Sequence, residues 1–432
     1  MRSVSVARLP AGWAAVELPP MLLARQRFVV PDPVDVGAEV RRQWEAAWSS
    51  IGLAPGASVA VAVGSRGIDG LPTVVRTVVD GLKREGCRPF VVPAMGSHGG
   101  ATAEGQAAVL AERGVTERSV GAPVRAGMEV VRLGEVGGLP LVMDRLAAAA
   151  DGVILVNRVK PHTDFVGRFE SGLMKMLVIG LGNEVGANGY HRYALDRGLA
   201  DVVATAGPAL LERSRVVLGA AIVENQRHEA AALRLVPAAD WERVEPELLE
   251  RARGLLPRLP LDEIDVLVVD EMGKDISGAG MDPNVTGRSA GWSIARPSPR
   301  IGRIVMRSLT EATEGNASGM GLVDCASRRM VEQIDLDATV ANALASCAPE
   351  DGKVPLCFAN DREAVAAALG TLRPYTLDDL RLVHIRNTLA LDLIELSPGC
   401  VSHLTAPWTV EVADDAVPLA FDDDGTLQSR LV

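Results

Sequence analysis

The sequence predicts an α/β protein of two domains, each built on a largely parallel sheet, with an active-site cleft between them. Three observations predict it. The chain has 432 residues, more than a single core ordinarily organises. Short apolar runs alternate with stretches of helical spacing, the pattern of strands covered on both faces by helices. A break containing a proline and clustered charges, RLPLDEID, falls at Leu259–Asp265, and sets the expected division into residues 1–262 and 263–432.

In order, SVAVAV (Ser58–Val63) reads as a buried strand and Leu71–Arg84 as a helix. Pro89–Val92 is the next strand, Ala103–Arg113 a helix, and Gly152–Val156 a third strand. A helix over roughly Tyr193–Arg213, a strand Val216–Val223 and a helix near Val244–Leu259 complete the first domain. Beyond the break come the strand Val266–Val269, a Gly-rich stretch Gly273–Gly291, helices Ala338–Ala345 and Asp361–Leu369, and strands Leu382–Ile385 and Leu391–Ile394. The tail after Pro407 is compatible with a return to either domain.

Composition removes several function classes. The formal charge is -11, which argues against nucleic acid, because phosphate binding needs a basic face. An anionic small molecule needs only locally placed cations. The five cysteines include no CxxC pair, so zinc ribbons and iron–sulfur clusters lack their spacing, and reduced thiols in the cytoplasm are expected. The first twenty residues hold no apolar core of signal-peptide length, and no apolar run approaches the ~20 residues of a membrane span. Positive charge is written with 39 arginines and 5 lysines. A lysine kept against that background suggests a need for an amine, since a guanidinium cannot act as a nucleophile; chance retention is the plain alternative.

The polar motifs fall just past strand ends, where open parallel sheets bind ligands. Arg66 follows the strand ending at Val63, suited to clamping a carboxylate through two parallel hydrogen bonds. His98 sits in Gly96-Ser97-His98-Gly99-Gly100, whose glycines allow close approach of backbone to a ligand before a helix N-terminus that favours anions. His162 lies in Lys160-Pro161-His162-Thr163-Asp164, and Lys274 follows the strand of the second domain. Each has an ordinary reading as a surface-loop charge or a turn histidine held by backbone. In the Gly-rich loop, Asn284, Thr286 and Arg288 are candidate donors to a phosphate; loops of this length in compact domains tend to be functional.

The densest segment is Glu170–Asn183, ESGLMKMLVIGLGN. Lys175 stands alone in it among apolar residues. Burial disfavours the charged amine and makes it a nucleophile or an attachment point; a snorkelling lysine is the structural alternative. His191 follows sixteen residues later. Three histidines and a lysine are compatible with metal binding, with acid–base work, or with both. There is no H-x-x-x-H pair, no GxGxxG after the first strand, no Walker A loop and no G-x-S-x-G, which lowers the zincin, dinucleotide, P-loop and serine-hydrolase readings.

The series GSRG, GSHGG, VKPHTDF, SGLMKMLVIGLG and GYH, over roughly residues 55–300, resembles the nickel-dependent lactate racemase family, which uses a nickel-pincer nucleotide. The resemblance implies that residues 1–262 form the catalytic, cofactor-binding domain. It implies that Lys175 attaches the pyridinium mononucleotide covalently, that His191 ligates nickel, that His98 and His162 are the acid–base pair, and that Arg66 and Lys274 bind the substrate carboxylate. Asp275 would orient the Lys274 amine. It implies transient contact with the proteins that make the cofactor. Departures border the expected pocket: Val63-Gly64-Ser65 replaces the family's Asp before the arginine, Gly-Gly follows the first histidine, the His162–Lys175 loop is longer, and Ile179 replaces a proline. They imply a small anionic 2-hydroxy acid other than lactate.

The chemistry so implied is an isomerase reaction. A hydride leaves the carbinol carbon while a base takes the hydroxyl proton, and its return to the opposite face of the planar 2-keto acid inverts the centre. Two bases, one on each side, are needed. The competing readings are a metal-dependent hydrolase with zinc on His98, His162 and His191, and a non-catalytic nucleotide-binding protein.

Overall fold

The computed structural model describes residues 6–10, 12–13, 16–289 and 298–431; the end of the Gly273–Gly291 stretch lies outside them. The fold is mixed α/β with mostly parallel sheets, and the chain forms two compact units. One unit is Val30–Leu256. The other joins Pro257 onwards to the described residues up to Val29.

This division differs from the expected one at residue 262. Strand β1 (Pro20–Arg27) belongs with the C-terminal half, because its ladder partners lie some 370 residues later in the chain, at Leu393–Leu396 and Thr409–Val412. The same pairing settles the tail after Pro407, which stays in the C-terminal unit.

The unit Val30–Leu256 contains β2 (Ser58–Val63), β3 (Arg88–Pro93), the hairpin β4 (Val130–Val136) and β5 (Leu139–Asp144), β6 (Gly152–Arg158), β7 (Val216–Glu224) and β8 (Ala230–Pro237). Its main sheet runs β3-β2-β6-β7-β8, parallel except for the last pair. All but the first residue of β2 are buried, which is why this strand reads as an unbroken apolar run. Helices Val36–Trp48 and Leu71–Arg84 pack their apolar stripes on the sheet through Val40, Trp44, Val75 and Val78. Asp35 caps the first by accepting from Ala38 N–H at 2.9 Å. The chain goes from β2 outward to β3, and later returns to β2's other side with β6. The crevice between the ends of β2 and β6 is therefore a topological switch point, the usual ligand position in such sheets.

The single helix expected over Tyr193–Arg213 is two, Asn183–Arg197 and Leu199–Arg213. Gly198 at φ 78 separates them, in the left-handed region that glycine enters without penalty. His191 accordingly sits in the middle of a helix, not at its start.

In the C-terminal unit, β9 (Glu263–Met272), β10 (Arg300–Leu309), β11 (Cys325–Ser327), β12 (Leu356–Phe358) and β13 (Leu382–Ile385) are parallel neighbours in the order β12-β11-β10-β9-β13. The antiparallel strands β14 (Leu393–Leu396), β1 and β15 (Thr409–Val412) extend the sheet, and β16 (Val417–Pro418) pairs with the start of β1. Its two faces bury separate apolar cores, one with Leu267, Val269 and Ile304, the other with Val266, Val268 and Val365. All five cysteines are free. Among the described residues no helix is long and apolar enough to cross a membrane.

Candidate active site

The switch-point crevice of the Val30–Leu256 unit collects most of the candidate residues. Beyond β6, Lys160 and Ser171 form an antiparallel bridge, with Lys160 N–H donating to Ser171 O at 2.9 Å and Ser171 N–H to Lys160 O at 3.1 Å. That bridge pins both ends of the His162 loop. It also places His162 beside the short helix Leu173–Lys175, which continues through one wider turn, Met176–Gly180, closed by Leu181 N–H donating to Met176 O. Such wide turns are frequent at functional sites.

Two buried carboxylates hold this arrangement, and sequence reasoning assigned a role to neither. Glu170 accepts from His162 N–H at 2.7 Å and from Gly167 N–H at 3.0 Å, and pairs with Arg253. Glu245 accepts from Met174 N–H at 2.9 Å, capping the helix that carries Lys175. It lies so close to Gly172 that a Cβ there would meet its Oε1 at 2.2 Å, so any larger residue would push this carboxyl aside. Burial pushes the Glu245 carboxyl up to about 8, against the lowering pull of the Met174 and Leu173 N–H groups. No sequence signal marks either acid as a support, since their partners are set by the fold.

Lys175 Nζ makes a short hydrogen bond with His162 Nε2. The other ring nitrogen, Nδ1, accepts from the Asp164 backbone N–H at 2.9 Å. This fixes the chemistry of the pair. A neutral imidazole whose Nδ1 is an acceptor carries its proton on Nε2. In that tautomer Nε2–H donates to the lone pair of the Lys175 amine, which only its uncharged fraction offers. The electrostatics make that fraction larger than in an ordinary lysine. Although Lys175 is only half-buried by surface, desolvation, with the charges of Arg66 and Lys160, lowers its pKa to about 8 in spite of Asp164. A neutral amine held in this way is a nucleophile.

Arg66 follows β2 and is exposed. Its guanidinium has no hydrogen-bond partner among the described residues, and desolvation and the neighbouring Arg158 and Arg113 pull its pKa down while Asp164 opposes. His191 is half-buried and likewise makes no hydrogen bond to a described residue. Burial first, then the Lys175 charge, lowers its pKa, leaving a neutral imidazole able to ligate a metal. Arg66, Lys160, Asp164, His162, Lys175 and His191 thus form one cluster, in which cations outnumber the single carboxylate. Such a cluster fits an anionic ligand.

His98 lies in the loop after β3 and is exposed. Its loop is tied to the lysine segment by Gly96 N–H donating to Gly180 O at 3.0 Å, and is held from beneath by Gln106 Nε2 donating to Gly96 O at 2.8 Å. Besides the two acids, sequence reasoning gave no role to Asp164, whose charge acts on Arg66, Lys175 and His191, or to His228, which responds to Glu224, Arg158 and Lys160.

Four candidates lie in the C-terminal unit. Lys274 Nζ donates to Gly278 O and Asn342 Oδ1, each at 2.5 Å. Asp275 accepts from the Thr310 hydroxyl at 2.5 Å. The expected phosphate donors of the Gly-rich loop have framework bonds. Thr286 is fully buried. Arg288 donates to Leu322 O at 2.8 Å and Asp324 Oδ2 at 2.6 Å through one terminal nitrogen, and to Ile301 O and Gly302 O through the other. Asn284 Nδ2 donates to Asp282 Oδ1 at 2.9 Å. These bonds shape the loop itself, a demand that the sequence does not separate from ligand binding.

The zinc reading needed His98, His162 and His191 to converge. Among the described residues no three His, Cys, Asp or Glu side chains form a metal-binding group, and His162 has its Nε2 against Lys175, so that reading is corrected. The nickel-pincer nucleotide asks for something else, an attachment amine and one imidazole. The Lys175 amine, with its lowered pKa, and the His191 ring, which has no hydrogen-bond partner among the described residues, fit it.

No family model matches this sequence, and no curated protein matches it. Among solved structures, the chain is similar to a protein from Thermotoga maritima, with 14% identity, a TM-score of 0.46, and coverage of 77% of this chain and 89% of the other. It is also similar to the lactate racemase apoprotein from Thermoanaerobacterium thermosaccharolyticum, with 11% identity, a TM-score of 0.49, and coverage of 85% of this chain and 86% of the other.

Proposed function

We propose that this protein is an isomerase, a racemase or epimerase that inverts the carbinol carbon of a small anionic 2-hydroxy acid other than lactate. The observation that carries the reading is the Lys175 amine, its pKa lowered to about 8, held against His162 inside a cation-rich crevice. Lys175 and His191 would hold a nickel-pincer nucleotide, Lys175 as attachment point and His191 as nickel ligand. When bound, that group supplies a pyridinium ring able to take a hydride from the substrate and return it.

The remaining work belongs to the chain. Arg66 clamps the substrate carboxylate through its guanidinium fork. To take the substrate hydroxyl proton at Nε2, His162 must carry its own proton on Nδ1, where the Asp164 carboxylate lies 3.7 Å away. His98, at the end of β3, is the base for the opposite face. Glu170 keeps the His162 loop in place.

The test is to incubate cofactor-loaded protein with single-enantiomer 2-hydroxy acids and follow inversion by chiral chromatography. Inversion of at least one acid is expected. Replacing His98 or His162 with Ala should lower the rate about 100-fold or more, and Lys175→Ala should abolish the adduct seen by intact-mass spectrometry. An adduct on Lys175 with no inversion of any acid would point to a nucleotide-binding protein without catalysis and end the isomerase reading.

A further inference from the structure

The C-terminal unit has a second polar pocket that none of the residues above explains. It has a volume of about 300 Å³, room for about ten waters' worth of ligand. It is built at the carboxyl ends of four adjacent parallel strands. Arg329 follows β11, Arg307 ends β10, Asp270 and Glu271 end β9, and Arg386 follows β13. This is where open sheets bind ligands. The tail forms one wall through Ser429.

The floor is closed and satisfied. Arg307, only 5% exposed, donates to Asp361 Oδ2 at 2.8 Å and makes short bonds to Asp270 Oδ1 and the Leu427 carbonyl. Asp270 also takes His384 Nε2 at 2.6 Å and the Ser429 hydroxyl at 2.6 Å. The other His384 nitrogen meets Glu395 at 2.6 Å, and Glu395 pairs with Arg430. Burial pulls the His384 pKa down, but Asp270 and Glu395 outweigh it and keep the ring charged.

The rim is different. Arg386 uses only Nε, towards Glu271 at 3.2 Å. Arg329 makes two long contacts, to Arg307 O at 3.3 Å and Asp361 at 3.4 Å. Both Nη atoms of Arg386 and one of Arg329 have no partner among the described residues, and the two side chains are about half exposed. Around the cavity three arginines face two carboxylates. Behind it, His384 and Arg430 balance Asp361 and Glu395. One positive charge is left over, presented by planar guanidinium forks.

We propose that this pocket is a binding site for a small organic monocarboxylate. One excess charge matches one carboxylate, and the fork geometry suits a planar anion through paired hydrogen bonds. A phosphate dianion would exceed the charge available. Because Ser429 is part of the wall, occupancy also tightens the tail.

Titration calorimetry of the whole protein with sodium propionate tests this, since propionate lacks the hydroxyl that the proposed isomerase reaction needs. Saturable binding is expected, weakened at least tenfold in Arg386→Gln and in Arg329→Gln, and unchanged in Arg118→Gln, an exposed arginine outside both sites. Propionate should also slow amide exchange at residues 427–431. Thermal unfolding of Arg386→Gln checks that this exposed substitution leaves the fold intact. No saturable binding, or binding lost in Arg66→Gln but kept in Arg386→Gln, overturns the proposal. So does binding of inorganic phosphate in preference to propionate. None of these results bears on inversion at the other site.

Discussion

Lys175 is a lysine made reactive by its surroundings, and each contributor can be removed in turn. With a pKa of about 8, roughly a tenth of its amines are uncharged at pH 7, against fewer than one in a thousand for an ordinary lysine. Labelling with acetic anhydride, read by peptide mass spectrometry across pH, should give Lys175 a midpoint near 8. Asp164 is the one carboxylate that favours the charged amine, so Asp164→Asn should raise the Lys175 rate at pH 7 by roughly threefold. Arg66→Gln should slow it. A midpoint near 10 in the wild-type protein would contradict a readily deprotonated amine.

At the scale of elements, the helix that carries Lys175 depends on a carboxyl supplied by another helix, Trp241–Leu255. Glu245→Ala removes the cap and leaves Met174 N–H buried without a partner, at a cost of about 1–3 kcal/mol. Glu245→Gln keeps an acceptor in place and should cost less. The pH dependence has a definite sign. Folding raises this carboxyl from 4.5 to about 8, so between those values the folded state binds more protons than the unfolded state. The stabilisation is full below about pH 4.5 and is lost as pH rises towards 8. Urea unfolding at pH 5 and pH 8 should show this decline in the wild-type protein and a flatter profile in Glu245→Gln.

At the scale of the molecule, the chain begins in one unit, builds the other, and returns. β1 lies between β14 and β15 in the C-terminal sheet, and buries Met21 and Ala24 fully. Removing residues 1–29 should therefore destabilise the C-terminal unit, not the unit containing Lys175, by about 5 kcal/mol or more. Limited proteolysis should then cut first after residue 257. Cleavage confined to residues 30–256 would contradict the assignment.

The elements legible in the sequence are those whose two faces are both buried. β2, helix Leu71–Arg84 and β13 have the expected bounds, because a covered parallel strand must be apolar throughout and its crossover helix apolar on one side. The placement of Arg66, His98, His162 and Lys274 beyond strand ends was legible for the same reason. The β4–β5 hairpin, β1 and β8 were not, because partly exposed or antiparallel edge positions leave a mixed pattern. The Gly198 break was missed because helical spacing continues across it. The sequence by itself determined which residues could be reactive, a lone lysine among apolar neighbours and histidines at loop starts. Only the tertiary structure decided that Asp164 N–H selects the His162 tautomer, that Glu170 and Glu245 hold the two segments, that Arg288 is a framework bond, and that residues up to Val29 complete the distant sheet. Those are facts of pairing, from two residues apart at His162 to hundreds apart at β1, and pairing depends on where the folded backbone brings two groups, which no local pattern records.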